Sequence, residues 1–298
     1  MKVCDLEIRV EGSLIRIARL EGDGYLFLDD PEFVLNGLRD CGTRIDMFTF
    51  MQKLPETTPK YAYPMEWDNF AAVPLSTFDH WWKEQIGFKA RNKAKQAEKK
   101  GVVIREVPFD DNLVKGICEI YNETPIRQGR RFAHYRKDFK TVYREEATFL
   151  DQSVFIGAFL EDKLIGFVKL VADQTRMQAG LMNILSMVEQ RDKAPTNALV
   201  AQAVRWCTER EISFLVYSRF AYGNKVQSSI TDFKERNGFQ RFDVPRYYVP
   251  LTTFGNAAFR CGLHRGIIDY FPEPVLSRVR KLRTAWHQRK YPGMAEAS

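Results

Sequence analysis

Much of what would announce a function is missing from this chain of 298 residues. Its five cysteines, Cys4, Cys41, Cys118, Cys207 and Cys261, are odd in number and scattered, with no C-x-x-C pair and no histidine at ligand spacing. That pattern speaks against a disulfide framework or a structural zinc, and it fits a reducing compartment. No metal site is expected. No apolar run reaches the length of a membrane-crossing helix. The opening MKVCDLEIRVEG alternates like a strand and lacks the order of a signal peptide. There is no G-x-S-x-G elbow, no Walker phosphate loop, no H-E-x-x-H and no carboxylate pair at catalytic spacing. Serine-hydrolase, P-loop and zinc-protease chemistry are set aside on that ground. A cytoplasmic protein is expected, either soluble or peripheral at the inner membrane face.

What is present is positive charge and a real core. Lys and Arg number 45 against 38 Asp and Glu, a net charge of +7. Such a balance points to an anionic partner: nucleic acid, a nucleotide-bearing substrate or an anionic membrane face. Mild basicity without a role is the plain alternative. Hydrophobic residues make up 45% and aromatics 13%, enough for two modest domains or one domain with a large extension.

Periodicity then orders the chain. LEIRV, LIRIARL and YLFL alternate as strands, with turn signals at Glu11-Gly12 and Gly22-Asp23-Gly24. DPEFVLNGLRD predicts a short helix with Asp30 as N-cap and Pro31 in its first turn. RIDMFTFMQ predicts a strand, and LPETTPKYAYP a loop. A long helix is expected from Ser76 to the stop at Gly101, opened by a capping-box-like Ser76 and Asp79. Its second half is basic, with Arg91, Lys95 and Lys99 on one face. From Val102 to Leu251 the order is strand (VVIREVP), helices at Asp110–Glu123 and Arg136–Leu150, then strands SVFIGAF, LIGFVKLVA and GLMNILSMV. A helix from Pro195 to Arg210, the strand ISFLVYS, a short helix ending at Gly238 and a strand pair around FDVPRYYVPL follow. In the tail, Val275, Val279, Leu282 and Trp286 form an apolar stripe among arginines and lysines. That helix either lies on an anionic membrane surface or docks on the body.

The order β-α-α-β-β-β-α-β-α-β resembles the GNAT acyltransferase fold. Trp82, Arg91, Lys95, Lys99, Lys100, Gly101 and Val102 before it, and Phe233-Lys234 with Gly238-Phe239 near its end, resemble the FemAB-like branch of that superfamily. The resemblance covers Ser76–Leu251. It implies an α/β (α+β) protein with a mixed central sheet and transfer of an acyl or aminoacyl group to a primary amine. The expected division is a partial companion lobe at 1–75, a basic linking helix at 76–101, a GNAT-like acyltransferase domain at 102–252 and a basic amphipathic tail at 253–298.

Two departures from the GNAT pattern matter. Acetyl-CoA users carry a glycine-rich pyrophosphate loop before the third helix, whose exposed amides hold the anion. Here that stretch is Gln190-Arg191-Asp192-Lys193-Ala194-Pro195-Thr196-Asn197, without glycine and with a proline that has no amide proton. Arg191, Lys193, Thr196 and Asn197 remain the candidate donor-carrier contacts. Many relatives also place a tyrosine four residues before the glycine of the Gly-Phe pair, where this chain has Lys234. Lys234 is therefore the first candidate catalytic residue, offsetting charge on a tetrahedral oxyanion; the alternative is a solvated helix charge. Tyr222 is a second candidate, as proton donor.

Arg127, Arg130, Arg131, His134, Tyr135 and Arg136 gather around Gly129 in the loop that overhangs the acceptor site in GNAT-type folds. Guanidinium forks suit phosphate or carboxylate. Arg127, Arg130, Arg131, Tyr135, Arg91 and Lys95 are thus candidate substrate contacts. His134, Glu123 and Glu189 compete as general base, although Glu123 is equally suited to pairing with the arginines. The acceptor is expected to be a small-molecule, glycan-linked or nucleotide-linked amine with anionic character. The donor is an acyl-CoA or an aminoacyl-tRNA, with no tightly bound cofactor. An acetyl-CoA-dependent N-acetyltransferase and a non-enzymatic RNA- or membrane-binding module are the alternatives. Oligomeric state is left open.

Overall fold

The computed structural model describes residues 1–127, 130–220 and 229–265, with the side chain of Arg130 excepted. Tyr222, Gly129 and the tail stripe from Val275 to Trp286 lie outside the described residues. In chain order the strands are β1 Lys2–Val3, β2 Leu6–Glu11, β3 Ile17–Leu20, β4 Met47–Met51, β5 Met65–Pro74, β6 Val102–Val107 and the short β7 Ile126–Arg127 and β8 Arg130–Arg131. They continue as β9 Ser153–Leu160, β10 Lys163–Ala172, β11 Gln178–Ser186, β12 Phe214–Val216 and β13 Gln240–Pro250. The helices are α1 Pro31–Asp40, α2 Phe78–His80, α3 Phe88–Lys99, α4 Asp111–Asn122, α5 Phe139–Glu146, α6 Pro195–Thr208, α7 Ser229–Arg236 and α8 Thr253–Arg260. All five cysteines are free thiols. Among the described residues no helix is long and apolar enough to cross a membrane.

Contacts divide the chain into two units. Among the described residues, the first holds Met1–Ala72, 218–220 and 240–265. Its strands run in the order β1-β2-β3-β4-β13-β5, with only β3 and β4 parallel. β13 was expected to stay with residues 102–252, and as a pair of strands. It is one strand of 11 residues, bonded to β4 on one side and β5 on the other. The core forms where the apolar face of α1 (Val34, Leu35, Leu38) meets Ile8, Leu20, Phe48, Phe50 and Tyr247. Asp30 caps α1 as expected, accepting from Glu32 N at 3.1 Å and Phe33 N at 3.3 Å. YLFL is not a strand: left-handed turns at Gly22 and Gly24 leave only an isolated bridge from Asp23 to Leu26.

Among the described residues, the second unit holds Val73–Tyr217 and residues 229–239. Its strands run β12-β11-β10-β9-β6, antiparallel except for β11 beside β12. β12 meets β11 at Gln178, Ala179 and Gly180, at the start of β11, so Met182–Ser186 have no strand on that side among the described residues. The expected single helix from Ser76 is broken. Thr77, not Ser76, caps α2, accepting from His80 N at 3.1 Å. Trp81–Gln85 then form a π-helical turn, and Ile86-Gly87 interrupts before α3. The break is set by packing: Gly87 N donates to Arg236 O at 2.8 Å, and a Cβ there would lie 3.1 Å from that oxygen. α5 is shorter than expected because Arg136 has positive φ and Asp138 caps at Thr141 N.

Candidate active site

Within the second unit, the two motif segments meet. The buried Trp81 indole donates to Asn237 O at 3.0 Å, and the Asn237 side chain donates to Phe233 O at 2.7 Å. This fixes the end of α7, where Lys234 is fully buried. Its ammonium stands 4.5 Å from the centre of the Tyr217 ring, in the residue that follows β12. A cation over an aromatic face regains part of its lost hydration. Burial still pushes the Lys234 pKa down to about 8. Lys234 is therefore not a solvated helix charge.

The Arg127 segment and the turn at Ala194 also meet, at the end of β11. Arg127 donates to Ser186 O at 2.8 Å, to Ile120 O at 2.7 Å and to Glu123 at 3.1 Å. Glu123 in turn accepts from the amides of Val188 at 2.7 Å and Glu189 at 2.8 Å. Ser186 Oγ lies 2.9 Å from Thr196 Oγ1 in the first turn of α6. Arg127 stacks on Phe132, 4.6 Å from its centroid. The guanidinium expected to clamp substrate thus ties α4 to the end of β11, and Glu123 is bound in the same clamp.

The remaining candidates divide. Ala194 adopts a left-handed conformation ahead of Pro195, and α6 has no side-chain cap. Asn197 is buried. Lys193 pairs with Asp192 at 3.5 Å, and Lys100 bonds the same carboxylate at 3.0 Å. Arg191 is exposed. His134 is half-buried between Tyr121 and Phe132, with ring centroids 4.5 and 5.2 Å away. Burial, then the Lys137 charge, lowers its pKa; Lys137 Nζ lies 3.2 Å from its Nδ1. Glu189 is exposed and its carboxylate pairs with Lys163 at 3.5 Å. Arg131 is exposed, and Tyr135 carries the Arg136 guanidinium over its ring at 5.5 Å. Arg91 donates to Trp82 O at 2.9 Å, closing the π-helical turn, while Lys95 lies 6.0 Å over the Trp82 ring. Lys234 shares neither described cavity with Arg127. The groove of about 560 Å³ in this unit lies between β6, β9 and α4, lined by Arg105, Lys115 and Phe159 among others, and includes none of the predicted residues.

A buried polar cluster was missed. Lys169 is fully buried in β10 and donates to Glu146 O at 2.7 Å, Thr148 O at 2.6 Å and Thr148 Oγ1 at 3.2 Å. The Glu146 carboxylate accepts from Tyr121 OH at 2.9 Å and Asn183 Nδ2 at 2.7 Å. Burial raises the Glu146 pKa and lowers that of Lys169 to about 8. A single lysine inside LIGFVKLVA was the available signal, because buried ammonium groups require acceptors. Among the described residues no three His, Cys, Asp or Glu side chains gather as metal ligands do.

No family model matches the chain, and no curated protein matches its sequence. Among solved structures, the C-terminal domain of an Agrobacterium fabrum protein named as a candidate lysylphosphatidylglycerol synthetase aligns over 87% of this chain and 86% of its own. The TM-score is 0.54 at 12% identity. L-PGS from Bacillus licheniformis aligns over the same shares, with TM-score 0.54 and 13% identity. The chain has their GNAT-like fold. FemX aligns over 80% of this chain and 72% of its own at 12% identity; its TM-score of 0.49 is too low to add weight. At these identities the likeness concerns the GNAT-like fold alone, and it agrees with the expected order of elements.

Proposed function

We propose that the chain is an acyltransferase of GNAT-like fold that moves an acyl or aminoacyl group onto a primary amine. The observation that carries this is Lys234: a buried ammonium over Tyr217, just beyond β12, beside a β11 that leaves β12 after Gly180. The amine attacks the carbonyl carbon of a thioester or ester, a tetrahedral oxyanion forms, and collapse expels the thiolate or alkoxide as the amine loses its proton. A fixed cation in a water-poor site stabilises the oxyanion more than water does. The lysine is suited to that role only while charged, a state lost as pH rises through about 8.

One structural neighbour is named as a lysylphosphatidylglycerol synthetase, which supports an aminoacyl donor and an anionic acceptor. For an amine acceptor, glycan- or lipid-linked substrates and an aminoacyl-tRNA donor are the leading choices. Acyl-CoA is the second. The uncapped start of α6 beside Arg191 and Lys193 supports a phosphate-rich donor of either kind. His134, with its lowered pKa, is the proposed base. Titration with acetyl-CoA and with aminoacyl-tRNA, followed by melting temperature, tests the donor: saturating ligand must raise it. Lys234→Met tests the chemistry, with turnover expected to fall by about 100-fold while the melting curve stays cooperative; unchanged turnover removes Lys234 from the mechanism.

A further inference from the structure

The first unit holds a cavity of about 300 Å³ beside β3, β4, β5 and β13. Four arginines line it, Arg19, Arg219, Arg246 and Arg265, against two carboxylates, Glu66 and Asp68. Each carboxylate lies beneath arginines. Asp68 Oδ2 accepts from Arg219 Nη2 and Arg246 Nε, both at 2.8 Å, and Asp23 takes a second edge of Arg246 at 2.8 Å. Glu66 Oε1 accepts from Arg265 Nη2 at 2.7 Å and lies 3.0 Å from His264 Nε2. Glu11, outside the lining, holds Arg19 at 3.3 Å.

Among the described residues, these four carboxylates balance the four guanidiniums. What differs is which sign faces the cavity. The side chains of Arg219 and Arg265 are 47% and 53% exposed, while Asp68 is 10% and Glu66 28% exposed. The carboxylates orient the forks from behind, which lowers the entropy lost when an oxyanion binds. Two buried polar atoms on the wall have no hydrogen-bond partner among the described residues: Nε of Arg19 and Nδ1 of His264, whose side chain is 2% exposed. Trp67, 59% exposed, stands at the rim.

We infer that this cavity binds a phosphate group, held between Arg19, Arg219 and Arg265. Three guanidiniums from three separate segments surround a tetrahedral oxyanion, whereas a planar carboxylate is satisfied by one fork. The phosphate belongs either to a soluble ester or to a lipid headgroup, and Trp67 suits both, since indole rings stack on bases and favour the membrane interface. The inference does not depend on acyl transfer.

Inorganic phosphate titrated into the full chain at constant ionic strength, followed by calorimetry, tests it. Saturable binding with Kd at or below roughly 1 mM is expected, with acetate weaker by about tenfold. Arg219→Ala with Arg265→Ala should weaken phosphate by about tenfold or more; Asp68 keeps Arg246 and Glu66 keeps His264, so the fold should persist. Arg219→Gln with Arg265→Gln, which retains donors, serves if the alanine variant melts early. Sedimentation with phosphatidylcholine vesicles, with and without phosphatidic acid, identifies the source: phosphate-displaceable binding to phosphatidic acid marks a lipid headgroup, and none marks a soluble ester. No saturable phosphate binding, equal affinity for acetate, or phosphate binding unchanged in both double variants would overturn the inference.

Discussion

Arg127 and Glu123 are joined at 3.1 Å and both face inward, onto the backbone at the end of β11. Both side chains are about 15% exposed. The pair therefore reads as a clamp that sets where β11 stops, and with it the start of α6. Removing one member leaves the other largely buried without its counter-charge and leaves the backbone groups it bonded without that partner. Arg127→Ala and Glu123→Ala should each destabilise by about 2–3 kcal/mol, measured by urea denaturation. Their effects should be far from additive in the double variant. Additive losses would mean that the two act separately.

Lys234 supplies a prediction in pH. If its charge stabilises the oxyanion, turnover of the wild type should fall as pH rises through about 8. An amine nucleophile alone gives the opposite trend, because deprotonation activates it. The alkaline fall should be absent in Lys234→Met, and a pH–rate profile of both proteins over this range separates the two causes.

Lys169 and Glu146 predict how stability varies with pH. The folded Lys169 ammonium has a pKa of about 8 against an ordinary 10.5. Between those values the unfolded chain binds more protons than the folded one, so this group makes stability rise with pH there. Glu146, raised by burial, acts the other way: stability falls as pH climbs from the ordinary carboxylate range through its folded value. Chemical denaturation of Lys169→Met and Glu146→Gln should show the matching slope removed in each. Lys169→Met should also cost about 3 kcal/mol at neutral pH, from three oxygens left without a donor.

Gly255, in α8, is a packing site. A Cβ there would lie 1.8 Å from Asp46 O, a backbone atom that cannot move aside cheaply. Gly255→Ala should destabilise by about 3 kcal/mol, read as a lower melting temperature.

The elements that were legible from sequence are those whose burial follows their pattern. β9, β10 and β11 are apolar runs, α1 carries the side-chain cap that Asp30 predicts, and α4 lies within one residue of its expected bounds at each end. β5 was missed because MEWDNFAAVP places Glu66 and Asp68 where a strand reader expects apolar residues. Those carboxylates are held by Arg265, Arg219 and Arg246, which lie far along the chain. The long helix was overread because Gly87 looks tolerable until α7 docks against it. The site was legible only in part. The type of residue at Lys234 was a clear departure, but its burial depends on Tyr217, and the arginines of the loop look identical whether they face substrate or Ser186.

The most direct test is whether an amide forms. Wild type and Lys234→Met would each be incubated with labelled aminoacyl-tRNA and, separately, labelled acetyl-CoA, over a panel of primary amines that includes glycan- and lipid-linked ones. Mass spectrometry should find a labelled amide with one donor class, formed about 100-fold more slowly by the variant. Equal rates for the two proteins, or no amide with either donor, would contradict acyl transfer centred on Lys234.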